Sequence, residues 1–137
     1  MRRPILLDTH AAIWTTSPGQ LSAEAEAELE ATWRDQAAIY VSPISAWEVG
    51  ILVARRRVTL PVTPASWFET LLASGLRWAS LTPQVLIDSS FLPGDIHGDP
   101  ADRILVATAR AFGYRLMTRD RALLGYAESG HLQAVAC

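Results

Sequence analysis

The stretch ILLDTH at residues 5–10 decides the fold of this 137-residue chain. Its three apolar residues predict a short buried strand, Ile5–Leu7, which ends where Asp8 introduces a charge. A helix is expected to begin near Thr9, because aspartate is a good N-cap residue. The carboxyl ends of the strands line the ligand crevice in open α/β sheets. Asp8 therefore belongs either to a functional site or to a helix cap.

Strand-like and helix-like patterns alternate along the rest of the chain, which predicts an α/β domain around a mostly parallel sheet. No repeat, low-complexity tract or linker divides the sequence, so one domain over residues 1–137 is expected. The further strands are expected at Ala38–Val41, Arg77–Leu81, Arg115–Thr118 and Leu132–Val135. Helices are expected to begin where a capping side chain precedes proline, at Ser42, Thr63, Thr82 and Asp99.

The composition excludes several classes of protein. Half of the residues are hydrophobic and 19% are charged, which is not the composition of a disordered chain. The apolar runs are too short for a transmembrane helix, and the single cysteine, Cys137, excludes an internal disulfide, so a cytoplasmic protein is expected. All twelve basic residues are arginine, which excludes chemistry that needs lysine. Most of the five tryptophans are expected to be core or interface anchors.

The net charge of −2 bears on possible substrates. It excludes a protein that binds nucleic acid through bulk basicity alone. A nucleic acid remains possible as a substrate if a bound metal supplies positive charge locally.

Three more acidic residues stand where a functional carboxylate is expected. Glu48 lies on the apolar stripe of the helix after Pro43, so it points inward and needs either a salt bridge, for example to Arg55, or a metal. Asp102 also lies on an apolar helix face, and its alternative role is to stabilise the first helical turn. Asp120 follows a strand, and its alternative role is in a turn or as the cap of a short helix.

Together these carboxylates indicate a metal site. Two at strand ends and two on helix faces can converge at one crevice of a parallel sheet. Four clustered anions cannot all stay ionised unless something neutralises them. Mg²⁺ or Mn²⁺ suits oxygen ligands, whereas the three histidines show no zinc spacing. Because Mg²⁺ commonly binds substrate phosphates, the site predicts phosphodiester hydrolysis.

Four motifs carry a family resemblance, and they occur in order along nearly the whole chain. They are ILLDTH at 5–10, SAWEV at 45–49, LPGDIHGDPADR at 92–103 and MTRD at 117–120. The sequence resembles PIN-domain ribonucleases, specifically the VapC-like toxins of type II toxin–antitoxin modules. One departure is the loop Gly94–Ile96, which is one residue longer than the resemblance leads us to expect.

The resemblance implies a single PIN-like domain with a central parallel five-stranded sheet of order 3-2-1-4-5, flanked by helices. It implies a catalytic and metal-binding quartet of Asp8, Glu48, Asp102 and Asp120. Within this quartet the aspartates are expected to bind Mg²⁺ or Mn²⁺, and Glu48 to orient the attacking water or bind a second ion.

The resemblance also implies an activity and partners. The activity is that of a metal-dependent endoribonuclease toxin that hydrolyses RNA phosphodiester bonds. The chain is expected to form a homodimer and to be neutralised by a cognate antitoxin. We expect the antitoxin to pack in an apolar groove near Trp14 and Trp47.

Two other functions stay open at this point. One is a non-catalytic, metal-binding regulatory or interaction module that has the PIN fold. The other is a phosphohydrolase with Asp8 as its nucleophile, but that chemistry expects an aspartate where His10 stands and a lysine that the chain lacks. Nearby, Asp99 is assigned to the helix cap and His97 to fixing the loop before it.

Overall fold

A parallel five-stranded sheet forms the centre of the computed structural model, which describes residues 2–137. The strand order is β3-β2-β1-β4-β5, and every neighbouring pair is parallel, so the predicted topology is confirmed. The strands are β1 (Ile5–Leu7), β2 (Ile39–Val41), β3 (Arg77–Trp78), β4 (Arg115–Thr118) and β5 (Ala134–Ala136).

Helices connect the strands, as parallel pairing requires. They are α1 (Thr9–Thr15), α2 (Ala23–Arg34), α3 (Pro43–Ala54), α4 (Pro64–Ala73), α5 (Pro83–Asp88), α6 (Pro100–Phe112) and α7 (Arg121–Glu128). The four predicted cap–proline starts are confirmed, because in each case the capping side chain accepts a hydrogen bond from a main-chain N–H of the first turn. Helix α6 ends at Gly113, whose left-handed φ of 73° suits glycine.

The two edge strands differ from their predicted bounds. Strand β3 has only two residues, because the chain turns away after the N–H of Ala79 donates to Val41 and then begins α5 at its Thr82 cap. Strand β5 begins two residues later than expected, because Leu132 packs into the core before the pairing with β4 starts at Ala134. Local sequence does not determine these bounds, since they depend on pairing across strands.

The central strand β1 separates two hydrophobic clusters. Ile5 and Leu7 belong to one cluster and Leu6 to the other, which follows from the alternation of side chains along a strand. All three side chains are fully buried. The sheet is therefore covered on both faces, and its polar chemistry is confined to the strand ends.

The tryptophans were expected to be core or interface anchors, and the interface part of that expectation stays a prediction. Trp67 is in the core and Trp14 is half-buried, but Trp33, Trp47 and Trp78 are 54%, 57% and 39% exposed. Trp33 lies across Gly75, where an added Cβ would meet the indole ring at 2.2 Å, so it covers a turn rather than filling the core.

Among residues 2–137, none of the helices combines the length and the apolar character needed to span a membrane.

Candidate functional site

One cavity, of about 400 Å³, lies at the carboxyl end of the two central strands. Strands β1 and β4 are neighbours, and Asp8 follows the end of β1 while Asp120 follows the end of β4. Helices α3 and α6 pack against each other, and they supply Glu48 and Asp102 respectively. All four predicted site residues line this cavity, and so do four others: His10, Trp14, Asp99 and Arg119. We call it the acidic cavity.

Asp8 is the most buried of the four carboxylates, with only 8% of its surface exposed. Its Oδ1 accepts a hydrogen bond from the N–H of Ala11 at 2.7 Å, so the predicted capping role is real. Burial raises the pKa of the Asp8 carboxyl, and hydrogen bonds from the Thr118 hydroxyl and the Ala11 N–H act against that rise. The cap therefore fixes the carboxylate at the floor of the acidic cavity, and the two proposed roles coexist.

Glu48 is held by hydroxyl groups and not by an arginine. The hydroxyl of Thr9 donates to Oε1 of Glu48, and a second hydroxyl, that of Ser45, lies 2.9 Å from the Thr9 oxygen. In the described part of the chain Glu48 forms no ion pair with Arg55 or another arginine. Burial raises the pKa of Glu48, the bond from Thr9 opposes this, and the nearby Asp99 charge raises the pKa further.

Asp99 and Asp102 have different surroundings although both face the acidic cavity. Oδ1 of Asp99 accepts from the N–H of Asp102 and caps α6, as the sequence predicts. Burial raises the pKa of Asp102 to about 7, and the charges of Asp99, Glu48, Asp120 and Asp8 contribute in that order. Like charges this close favour the protonated form of one member unless a cation is present.

Asp120 caps the last helix through one oxygen. Its Oδ1 accepts from the N–H of Leu123 at 3.1 Å, and its own N–H donates to the hydroxyl of Thr118 at 3.1 Å. Asp120 is exposed, so this carboxylate forms the outer rim of the acidic cavity.

His97 takes a position that the sequence reasoning missed. Its Nε2 lies 3.3 Å from Oδ2 of Asp102 and 3.9 Å from Oδ1 of Asp120. One potential ligand atom from each of these three residues falls within 4.8 Å of the others. The expected loop role is also present, because Nδ1 of His97 accepts from the N–H of Asp99 at 3.2 Å. No spacing rule signals this proximity, since it depends on how the loop before α6 folds back.

Arg119 is the second functional candidate that the sequence did not single out. Its guanidinium lies over the ring of Trp14, 3.9 Å from the centroid, at the rim of the acidic cavity. Its Nη2 donates to the main-chain oxygens of Gln20 and Cys137, at 2.6 and 2.7 Å. Among the described residues it forms no ion pair with any carboxylate that lines the cavity.

The donor set of the acidic cavity fits a hard divalent cation. It offers carboxylate oxygens, which Mg²⁺ and Mn²⁺ prefer, and the neighbouring carboxylates add to burial in raising the pKa of Asp102. The carboxylates that line the cavity and could offer such an oxygen are those of Asp8, Glu48, Asp99, Asp102 and Asp120.

Comparison with known proteins identifies the family. The model of the PIN domain matches residues 5–128. Ribonuclease VapC22 of Mycobacterium tuberculosis (strain ATCC 25618 / H37Rv) is 38% identical over 120 residues, which are 87% of this chain and 88% of that protein.

Solved structures share the fold at low sequence identity. The crystal structure of VapBC2 from Rickettsia felis, bound to a DNA fragment from its promoter, contains a chain that matches with a TM-score of 0.71 and 16% identity, over 97% of this chain and 98% of that one. A toxin–antitoxin complex from Klebsiella pneumoniae contains a chain that matches with a TM-score of 0.60 and 23% identity, over 88% and 91% of the two chains. With the parallel 3-2-1-4-5 sheet and the acidic cavity at its carboxyl edge, these matches lead to one conclusion: the chain belongs to the PIN-domain family, as a VapC-like member.

Proposed function

We propose that this protein is a Mg²⁺- or Mn²⁺-dependent endoribonuclease that acts as a toxin and is neutralised by a cognate antitoxin. The observation that carries the proposal is the convergence of Asp8, Glu48, Asp102 and Asp120 on one cavity. The 38% identity to a protein named as a ribonuclease supports the choice of RNA. The proposal treats residues 1–137 as one acting domain and places the activity in the cytoplasm.

Each carboxylate has a distinct role in this proposal. Asp8, Asp102 and Asp120 hold the cation, since they come from the floor, the side and the rim of the acidic cavity. Glu48 orients the attacking water by accepting a hydrogen bond from it, and Thr9 and Ser45 fix the glutamate for that task. A divalent cation, when bound, activates water as a Lewis acid and offsets the charge that develops on the phosphate.

Arg119 is the residue that we assign to the RNA backbone. An acidic cavity repels phosphate, so a substrate needs positive charge near the scissile bond besides the cation. The stack on Trp14 and the bonds from Nη2 hold the guanidinium at the rim and away from the carboxylates. Because both Nη2 hydrogens are used in this way, Nη1 and Nε are the donors that remain for phosphate oxygens.

The neutralising antitoxin has a groove available beside the acidic cavity. A smaller cavity of about 180 Å³ is lined mainly by apolar residues of α3 and the start of α6, namely Trp47, Ile51, Leu52, Pro100 and Ala101. Glu48 and Asp99 line both cavities, so the two are adjacent. A segment with an apolar side chain in the groove and an arginine among the carboxylates would block the cation and the substrate together.

The proposal includes a homodimer. Its support in this structure is the apolar surface around α5, where Ile87 is 56% and Phe91 is 79% exposed. Exposed apolar side chains that lie together favour association. Light scattering at several protein concentrations tests this part, and a monomer at all of them would contradict it.

The activity is tested with purified protein and single-stranded RNA. We expect cleavage with Mg²⁺ or Mn²⁺ and none in EDTA, with recovery when the cation is restored. Cleavage that persists in EDTA would overturn the metal-dependent mechanism. Tight binding of the cation without cleavage of any RNA would instead favour the non-catalytic metal-binding module.

A further inference from the structure

The imidazole of His97 contains a polar atom with no partner. Its Nε2 is buried, and in residues 2–137 it makes no hydrogen bond of acceptable geometry. Oδ2 of Asp102 and Oδ1 of Asp120 are the carboxylate oxygens near it, at 3.3 and 3.9 Å. Unpaired buried polar atoms are uncommon and need an explanation, and this one lies beside two carboxylates of the candidate site.

The other ring nitrogen determines where the proton is. Nδ1 accepts a hydrogen bond from the main-chain N–H of Asp99, so Nδ1 must offer a lone pair and has no proton of its own. A neutral imidazole has one N–H, which is then on Nε2. A nitrogen that bears a proton cannot bind a metal ion. The ring therefore presents an N–H, and not a ligand lone pair, beside the two carboxylates, and this N–H is not aligned on either of them.

The loop that carries the ring is tied to α6. Arg103 donates from Nη1 to the main-chain oxygens of Ile96 and His97, each at 3.3 Å, and from Nε to that of Ser89 at 2.8 Å. These three bonds and the Asp99 cap lie within or beside the first turn of α6. The imidazole is thus fixed relative to Asp102, which is on the same turn.

We propose that His97 is a positioning residue whose unpaired Nε2–H becomes a hydrogen-bond donor to the carboxylate of Asp102 when the cation is bound, and that His97 is not itself a metal ligand. This inference rests on the proposed metal site and deepens it. Imidazole and carboxylate partners orient metal ligands in this way around other metal sites.

The tautomer is measured directly by long-range ¹H–¹⁵N NMR of the full chain, without reference to nuclease activity. At mildly alkaline pH we expect the Nε2 of His97 to have the protonated nitrogen shift and Nδ1 the unprotonated one, before and after Mg²⁺ is added. A proton on Nδ1, or loss of the Nε2 proton when Mg²⁺ binds, would overturn the proposal. Failure to cleave RNA would count against the proposed function only.

Two substitutions separate positioning from simple support of the loop. In His97→Gln the amide nitrogen reaches the place of Nε2 and keeps the donor, whereas in His97→Asn only the place of Nδ1 is filled. We expect His97→Asn to weaken Mn²⁺ binding, measured by calorimetry, by roughly 10- to 100-fold, which is typical of a lost partner of a metal ligand. His97→Gln should recover most of that affinity.

The thermal stability of the two variants completes the test. If the ring only braces the loop, both variants lose stability and neither changes Mn²⁺ affinity once folded. If the ring binds the ion, both lose affinity equally, because neither amide replaces an imidazole lone pair. Either pattern would contradict the positioning role.

Discussion

Asp99 binds the main-chain N–H of Asp102 through Oδ1 at 2.9 Å, so one carboxylate of this pair starts the helix and the other is left to face the acidic cavity. The two residues are on the same turn, and both are aspartates. Their roles differ because a cap needs the first residue outside the helix, whereas Asp102 is the third residue inside α6 and has no capping bond to make.

Substitution at these two positions should therefore give opposite results. Asp99→Ser keeps a capping oxygen, so we expect most of the activity to remain and a stability loss of a few tenths to about 1 kcal/mol. Asp102→Asn should abolish cleavage while the protein stays folded. The comparison uses initial rates of RNA cleavage and melting temperatures. An inactive, folded Asp99→Ser together with an active Asp102→Asn would reverse the assignment.

The raised pKa of Asp102 predicts how the metal-free protein responds to pH. Its pKa is about 7 in the fold against a reference value of 3.8, so the folded state binds this proton more tightly than the unfolded chain. The stability from this group is complete below the reference value and is lost as the pH rises through about 7.

In EDTA we therefore expect the Tm of the wild type to fall, relative to that of Asp102→Asn, between about pH 4 and about pH 7. Mg²⁺ should reverse the effect at the upper pH, because an ion that binds only the folded state stabilises it. Scanning calorimetry measures the Tm of the two proteins in EDTA and in Mg²⁺ at each pH. A difference in Tm that stays constant over this range would contradict the clustering of charge at Asp102.

Arg119→Ala should impair substrate binding more than the chemical step. We expect a higher KM with a smaller change in kcat, and a salt dependence of binding that is lower by about one charge. Arg119→Lys should recover only part of the loss, because lysine lacks the planar fork that stacks on Trp14. Arg110→Ala, another exposed arginine whose guanidinium bonds to a main-chain oxygen, is the matched control. Equal effects at both positions would show that only net charge matters.

Trp47→Ala should separate inhibition from catalysis. The side chain is 57% exposed and lines the apolar groove, so its loss is expected to weaken antitoxin binding by about 2 kcal/mol or more, as for other aromatic anchors. RNA cleavage by the free protein should be unchanged. Trp33→Ala, with a similar exposure and no place in either cavity of the site, is the control. Antitoxin affinity that is unaffected by Trp47→Ala would place the partner elsewhere.

The parts of the fold that depend on local chemistry were predictable. The helix caps at Ser42, Thr63, Thr82 and Asp99 could be predicted, because each capping side chain accepts a hydrogen bond from the main chain of its own helix. The bounds of β3 and β5 could not be predicted, since they depend on the pairing of β3 with β2 and of β5 with β4.

The same distinction applies to the site. Asp8 and Asp120 follow strands whose neighbours were predictable, and Glu48 and Asp102 lie on apolar helix faces, so their convergence could be expected. Arg119 reaches the cavity through contacts with Trp14 and Cys137, and a folded loop brings His97 beside Asp102 and Asp120. Such contacts depend on tertiary folding and leave no periodic pattern in the sequence.

The central claim is that the carboxylates of the acidic cavity cleave RNA by holding a divalent cation, and Asp8→Asn tests it most directly. The change removes a charge without altering size, at the most buried of the four positions. The measurement is the initial rate of RNA cleavage as Mg²⁺ is titrated, with Asp95→Asn as the matched substitution at an exposed loop residue. We predict a folded Asp8→Asn protein with no cleavage at any Mg²⁺ concentration and an Asp95→Asn protein that equals the wild type. Full activity of Asp8→Asn with an unchanged Mg²⁺ requirement would contradict the account.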